Sequence, residues 1–337
     1  MGRFKVGLIG VGTVSSGYGS PEEGAPYCHI GGLLKALDVA ELVAVVEPNG
    51  EAWEKAQQKW GLRGVTRYGT IEAMLAGAAP DVVTIASPAR MHMEHARRVI
   101  ECSNRRERNG VLFIEKPPTC SSRDMHSLYT QALRKGWRTV ASYTRSWDLN
   151  FQKGVDCVRQ GMIGAVTCVV GYCGGPVLTH ASHQTQMLLE MAGVSDERGI
   201  VQVVDKETHF EGAVPTNHGE QQEPFLDYVS MKVGAGQLRV VQIGTKGVYG
   251  AFYVDVYGTN GMVRAGAYIP CTLMAKGQLA KSWDERRSPF EEAYRDIARG
   301  LTTEQRIHLE GREWMVVHDV CLDICETKDA RQFTPFC

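Results

Sequence analysis

Apolar and polar positions sort the first 143 residues into alternating strands and helices. Phe4 to Ile9, Glu41 to Val46 ("ELVAVV"), Val82 to Ile85 and Val111 to Ile114 are short, mostly apolar runs of the kind buried in a parallel sheet. Between them, Glu51 to Trp60, "RMHMEHARRVIE" and "SSRDMHSLYTQALRKG" carry apolar residues at helical spacing. The last has Ser121 or Ser122 as its cap and Gly136 beyond its end. "RTVASY" closes the series. Strands alternating with helices specify an α/β, doubly wound parallel sheet with ligands at the carboxyl ends of its strands.

After Tyr143 the pattern changes. One helix is expected at Asn150 to Arg159. Longer strand-like runs follow, "AVTCVVGYC", "FLDYVSMKVG", "QLRVVQIGTKG" and "AFYVDVYGTNG", punctuated by Gly and Asn-Gly as hairpins are. Helices at Pro289 to Ala298 and Gly311 to Thr327 finish the chain. Two domains are expected, 1–143 with the parallel sheet and 144–337 as an α+β domain with a large, mostly antiparallel sheet. That agrees with 337 residues at roughly 100–200 per domain.

The turn after the first strand narrows the chemistry. Gly10 and Gly12 can bring backbone N–H groups close to a pyrophosphate, with Thr13 and Val14 next in line. Glu47 ends the second strand, where a carboxylate accepts from two ribose hydroxyls and repels a 2′-phosphate. No Arg follows it in "EPNG", so NAD is favoured over NADP. A solvated strand-end Glu is the plainer alternative. Glu47 lies 35 residues after Gly12, where about 20 is usual, and a Gly- and Pro-rich stretch, Ser15 to Cys28, accounts for the surplus. Its composition suits a loop over the cofactor mouth, with Ser15 or Ser16 near the phosphates and Tyr18 or Tyr27 facing the cleft.

"IEKPP" at the end of a later strand places Glu115 and Lys116 at the carboxyl edge of the sheet. A desolvated ammonium there can hydrogen-bond a reacting hydroxyl. A cis Lys-Pro bond fits the turn.

Composition removes other classes. Lys and Arg number 37 against 38 acidic residues, which leaves no basic excess for nucleic acid. No apolar run approaches a membrane span and no targeting segment is evident, so a cytoplasmic location is expected. Ten cysteines without paired spacing read as reduced thiols. No metal is expected: Cys321 and Cys325 lie one helical turn apart but two positions do not make a zinc site, and His180 and His183, even with His209 or His218, lack a placed carboxylate.

Glu-Lys-Pro after a strand, joined to the Gly-x-Gly turn, resembles the Gfo/Idh/MocA oxidoreductases, relatives of inositol dehydrogenase and glucose-fructose oxidoreductase. The resemblance covers nearly the whole chain and implies an N-terminal Rossmann-type domain. "ASPARMHMEHA" looks like the family segment in which Ser87, Pro88 and His92 would line the nicotinamide side. His29, in "YCHIGGLLKAL", matches the His of the first fingerprint helix, displaced by roughly eleven residues. "YTRSWDLNFQKGVDCVRQGMIGAVTCV" is similar to the start of the second domain, and "VYGTNGMVRA" to a later turn. "GGPVLTHASHQTQMLLEMAG" matches the segment with the catalytic histidine, here His183.

Three positions depart from the family. Its members commonly place Asp four residues before that His, Gly two before and Asp three after; here stand Thr179, Ala181 and Gln186. Thr179 cannot serve as a base near neutral pH unless another group activates it. His180 is a further catalytic candidate whose reach could replace the missing Asp. His183 can alternatively cap its helix.

The resemblance implies an NAD(P)-dependent enzyme moving hydride between nicotinamide and a secondary alcohol or ketone of a sugar, cyclitol or related polyol. Lys116 and His183 would manage the hydroxyl proton. Tyr143, Arg145, Trp147 and Thr179 would contact substrate, although Arg145 also fits a surface ion pair. The alternatives are glycoside cleavage by transient oxidation and elimination, and a non-catalytic NAD- or sugar-sensing protein. A homodimer or homotetramer is expected.

Overall fold

A computed structural model describes residues 2–103, 110–173, 175–194, 201–210, 214–216, 219–221, 223–236, 238–244 and 252–326. The chain runs β1 (Phe4–Ile9), α1 (His29–Lys35), β2 (Ala40–Val46), α2 (Gly50–Trp60), β3 (Thr66–Tyr68), α3 (Ile71–Ala78), β4 (Val82–Ile85), α4 (His92–Cys102), β5 (Gly110–Ile114), α5 (Ser122–Arg134) and β6 (Trp137–Ala141). It continues with α6 (Leu149–Arg159), β7 (Val166–Tyr172), β8 (Gly175–Pro176), α7 (Ser182–Met191), β9 (Val201–His209), β10 (Val214–Thr216), β11 (Gly219–Gln221), β12 (Phe225–Val233) and β13 (Leu238–Ile243). Last come β14 (Phe252–Gly258), β15 (Gly261–Ala267), β16 (Cys271–Ala275), β17 (Lys281–Trp283), α8 (Pro289–Thr303) and α9 (Arg312–Cys325).

Two compact units result. The first comprises residues 1–142 and 287–311, and its six strands lie in the order β3-β2-β1-β4-β5-β6. Every pairing is parallel, the doubly wound order expected from the alternation. β4 and β5 are buried along their whole length, which is why they read as unbroken apolar runs. Val83, Ile85, Leu112 and Ile114 pack with Val99 of α4 and with Leu128 and Trp137. The Trp137 indole N–H, which burial would otherwise orphan, donates to Ser103 Oγ at 2.7 Å. Polar caps start the helices: Asn49 for α2, Thr70 for α3 and Ser121, rather than Ser122, for α5.

The assignment of α8 needs correction. The sequence reading places everything after 144 in the second domain, but 287–311 packs with the first unit. Phe290 lies so close to α1 that a Cβ on Gly32 would fall 2.5 Å from it. The segment after α8 then bridges β6 through Glu310 and Val140. An amphipathic pattern reports a helix with one buried face, not which layer covers that face.

The second unit comprises residues 143–286 with α9. Its sheet follows the path β17-β16-β15-β14-β7-β13-β12, and β12 also pairs with β8 and β9. Only the β7–β13 pairing is parallel among those described. β10 and β11 form a separate hairpin. Gly154 lets α6 lie against Ala265, and Gly171 lets α7 approach β7 through Gln184. α7 is buried from end to end, so its polar side chains need internal partners. Gln184 donates to the Tyr253 carbonyl at 2.9 Å and Thr185 to Gln242 at 2.8 Å.

α9 lies within the helix expected over Gly311 to Thr327, and Thr327 is outside the described residues. Its Cys321 is buried, and desolvation pushes the thiol up to about 12. Eight of the described cysteines are free thiols, but Cys120 is disulfide-bonded, against the expectation for that residue. Among the described residues no helix is long and apolar enough to cross a membrane.

Candidate functional site

The carboxyl ends of four neighbouring strands in the first unit carry the residues singled out for a nucleotide. Gly10 follows β1, Glu47 follows β2, Ser87 and Pro88 follow β4, and Glu115 and Lys116 follow β5. Gly10 has φ of +91°, and a Cβ there would lie 2.9 Å from the backbone N of Ser87. Only glycine lets these two turns approach so closely. Beyond Gly12 the chain makes one short helical turn, Thr13 to Gly17, in which Ser15 N and Ser16 N donate to the Gly12 carbonyl. Ser15 is fully buried and its hydroxyl has no hydrogen-bond partner among the described residues. An orphaned donor beside a glycine cradle fits a phosphate oxygen.

The Glu47 carboxylate accepts from Val11 N at 3.0 Å and Asn49 N at 2.9 Å, one bond to each oxygen. Each oxygen retains a further lone pair, as two ribose hydroxyls would need. Sequence reasoning missed Arg67, which comes from β3 to this corner and donates to the Glu47 and Pro48 carbonyls at 2.8 and 2.9 Å.

Beneath Lys116 lies a buried polar network. Glu115 Oε1 meets His29 Nε2 at 3.0 Å and accepts from Ser142 Oγ at 2.5 Å. His29 Nδ1 meets the Tyr294 hydroxyl at 2.9 Å, which in turn meets Thr84 Oγ1 at 3.0 Å. Burial pushes the Glu115 carboxyl up, but the His29 bond and charge, the Lys116 charge and the Ser142 hydroxyl outweigh it and hold the group below the usual range. Lys116 itself is half-buried, and its bond to Pro117 is cis. His92 braces this turn: its ring nitrogens lie 2.8 Å from the Pro117 carbonyl and 2.7 Å from the Ser87 carbonyl. Complete burial pushes the imidazole below its ordinary value. Ser87 Oγ pairs with His95 Nδ1 at 2.8 Å.

The loop from Ser15 to Cys28 is fastened at both ends. Lys59 and Trp60 of α2 donate to the Ser16 carbonyl, and the Ser288 hydroxyl donates to the Pro26 carbonyl at 2.5 Å. Tyr27 packs on Phe290 at 5.3 Å, while Tyr18 is half exposed. The Cys28 thiol then caps α1, which begins at His29 as the displaced match requires.

In the second unit the candidates gather around a residue the sequence did not announce, Phe252. The Arg145 guanidinium lies 3.5 Å over its ring, and the His180 and His183 rings lie 4.9 and 6.2 Å from it. His183 sits in the first turn of α7, 4% exposed, with the Tyr143 ring 6.0 Å away edge-on. The Tyr143 hydroxyl is buried without a hydrogen-bond partner among the described residues, and burial pushes its pKa well up. Trp147 is buried in the turn Thr144–Trp147.

Thr179 is half-buried, and its hydroxyl donates to Glu223, which sequence reasoning also missed. Gln186 donates to Glu190 Oε2 at 2.8 Å. No motif points to Glu223: it lies 44 residues from Thr179 and reaches it only through the approach to β12. His209 pairs with Asp227 at 2.6 Å, and His218 lies outside the described residues. Among the described residues no three His, Cys, Asp or Glu converge as metal ligands.

Among curated proteins, the chain is 24% identical over 166 residues to the galactose/lactose metabolism regulatory protein of Saccharomyces cerevisiae, covering 49% of this chain and 37% of that one. It is 25% identical over 163 residues to D-glucoside 3-dehydrogenase of Escherichia coli, covering 48% and 41%. These matches span about two fifths of either relative's own length. Myo-inositol 2-dehydrogenase of Thermotoga maritima is 21% identical over 311 residues, 87% of this chain and 84% of that one.

Solved structures share the fold throughout. A super-repressor mutant of Gal80p from Saccharomyces cerevisiae superposes with a TM-score of 0.72 at 17% identity, over 96% of this chain and 95% of that one. The WlbA dehydrogenase of Bordetella pertussis, in complex with NADH and UDP-GlcNAcA, gives 0.69 at 18%, over 96% and 95%. Residues 4–143 match the sequence profile of the oxidoreductase family with an NAD-binding Rossmann fold. The doubly wound order, the glycine cradle and the Glu-Lys-Pro turn all lie within that matched segment, so the likeness to the Gfo/Idh/MocA oxidoreductases is carried by the NAD-binding Rossmann domain of residues 4–143.

Proposed function

We propose that this protein is an NAD-dependent oxidoreductase acting on a secondary alcohol or ketone of a sugar, cyclitol or related polyol. The observation that carries the reading is Lys116: half-buried at the carboxyl end of β5, after a Glu115 locked to His29 and Ser142 and before a Pro117 tied to His92. A surface lysine needs no such foundation. Gly10, Gly12, Thr13, Val14, Ser15 and Glu47 would hold the dinucleotide, with Ser87, Pro88 and His92 shaping its nicotinamide end. When bound, the nicotinamide supplies the hydride acceptor. Lys116 hydrogen-bonds the reacting hydroxyl and steadies developing negative charge on it, while the His183 imidazole exchanges the proton. Tyr143 and Arg145 offer donors to the remaining hydroxyls. Named relatives that act on a glucoside and on myo-inositol support the substrate class.

The test is stopped-flow absorbance at the reduced-nicotinamide band with a panel of sugars and cyclitols. Lys116→Ala should lower the rate of an active substrate by roughly 10²–10⁴-fold. Ordinary turnover by that variant contradicts the lysine's role. A second reading has its own observation: Thr179 and Gln186 leave both family carboxylate positions neutral, and a regulatory protein is among the relatives. Tight NAD binding with no hydride exchange on any polyol favours that sensor.

A further inference from the structure

The arginine that "EPNG" lacks is supplied from another strand. Arg67, in the middle of β3 and paired with Val45 of β2, sends its guanidinium to the carboxyl end of β2. There Nε donates to the Glu47 carbonyl at 2.8 Å and Nη2 to the Pro48 carbonyl at 2.9 Å. Nη1 lies 3.5 Å from where a Cβ on Gly50 would stand, so the group rests against the first turn of α2. Carbonyl oxygens carry no net charge, and among the described residues no carboxylate pairs with Arg67. Its positive charge stands at an exposed corner without a counter-ion.

The two opposite charges of this corner are each fastened to main chain, not to one another. Val11 N and Asn49 N hold the Glu47 carboxylate, and the two carbonyls hold Arg67. In a doubly wound sheet the end of the second strand meets the adenosine ribose. An acid there accepts from the ribose hydroxyls of NAD, and a nearby arginine accommodates the 2′-phosphate of NADP. Both groups stand here together. A guanidinium fork suits phosphate oxygens, and a carboxylate repels them. We infer that Arg67 is a specificity-determining residue for the cofactor, a receptor for a ribose 2′-phosphate that the Glu47 carboxylate keeps closed. The inference rests on the reading of the Gly10–Gly12 cradle as a dinucleotide site. Preference for NAD is then set by one negative charge and not by the want of a cation.

Glu47→Ser provides a test with a determined sign. It removes the repelling charge and leaves room for a phosphate. Arg67 holds main-chain carbonyls, which any residue at position 47 presents, so the guanidinium keeps its place in the variant. The corner should change from one that excludes a 2′-phosphate to one that binds it.

Calorimetry on the full chain would titrate NAD⁺ and NADP⁺ into the wild type, Glu47→Ser, Arg67→Ala and the double variant, each folded by circular dichroism. Should Glu47→Ser not fold, the nearly isosteric Glu47→Gln takes its place. The wild type should bind NAD⁺ about tenfold more tightly than NADP⁺, and Glu47→Ser should reverse that order. Arg67→Ala should leave NAD⁺ affinity within about twofold and, in the Glu47→Ser background, lower NADP⁺ affinity about tenfold. High salt should erode the NADP⁺ gain. A guanidinium that only braced the β2–α2 turn, or stacked on the adenine ring, would change both dinucleotides alike. The inference is overturned if the wild type binds neither dinucleotide or prefers NADP⁺, if removing the acid gives NADP⁺ no gain, or if the double variant keeps that gain. Reversed preference without hydride transfer from any polyol refutes the oxidoreductase reading and leaves this one standing. Hydride transfer to NAD⁺ in the wild type, with no reversal in Glu47→Ser, does the opposite.

Discussion

Glu115 illustrates how much of the candidate site is decided by single residues. It is buried, and His29 and Ser142 supply the hydrogen bonds that make its charge tolerable. His29→Leu should therefore destabilise the fold by about 3 kcal/mol in urea unfolding, because it leaves a buried carboxylate short of a partner. A loss below about 0.5 kcal/mol would mean that the network contributes little. Glu115 and Lys116 were legible because a strand followed by Glu-Lys-Pro is a local pattern. Glu223, Phe252 and Arg67 were not, since each reaches its partner across a sheet or from a distant turn and no short-range spacing encodes that approach.

At the scale of elements, α6 carries an unusual cap. Asp148 accepts from Asn150 N and Phe151 N, yet desolvation outweighs those bonds and raises its pKa from 3.8 to about 6. A folded carboxyl with a raised pKa holds its proton while the unfolded chain releases one, so its contribution to stability falls as pH rises from about 4 to about 6. Asp148→Asn keeps the cap without the charge. Measured by urea unfolding, it should gain stability relative to wild type across that window. A constant difference would contradict the shift.

The loop Ser15 to Cys28 was legible as an insertion but not as a fastened one. Trp60→Phe removes the donor to the Ser16 carbonyl and should raise the NAD dissociation constant roughly three- to tenfold by calorimetry, with unchanged affinity arguing against coupling of loop to cradle. The sequence pattern also gave no sign of β3 or α3, one a mostly exposed three-residue strand and the other a short helix with two buried residues. β3 lies at the edge of the sheet, where a weak hydrophobic demand leaves a weak pattern, whereas Ile71 and Met74 of α3 join the core from a helix too short to show a repeating period.

For the whole molecule, the order of strands and the change from parallel to mostly antiparallel pairing were readable, because burial on both faces and hairpin punctuation leave different periodicities. The return of α8 to the first unit was not. The cradle predicts a linkage effect: NAD⁺ at a hundred times its dissociation constant should stabilise the fold by about 2.7 kcal/mol, raising the melting temperature, while NADP⁺ should do less because Glu47 repels a 2′-phosphate. The opposite order would remove Glu47 from the ribose. Transfer of deuterium from a carbon-deuterated polyol to the nicotinamide ring of NAD⁺, followed by NMR, tests the central claim whether or not the net reaction reduces the cofactor. The account predicts label on the nicotinamide with at least one sugar or cyclitol, and its near-complete loss in Lys116→Ala. Bound NAD⁺ that never acquires label from any of them would contradict it.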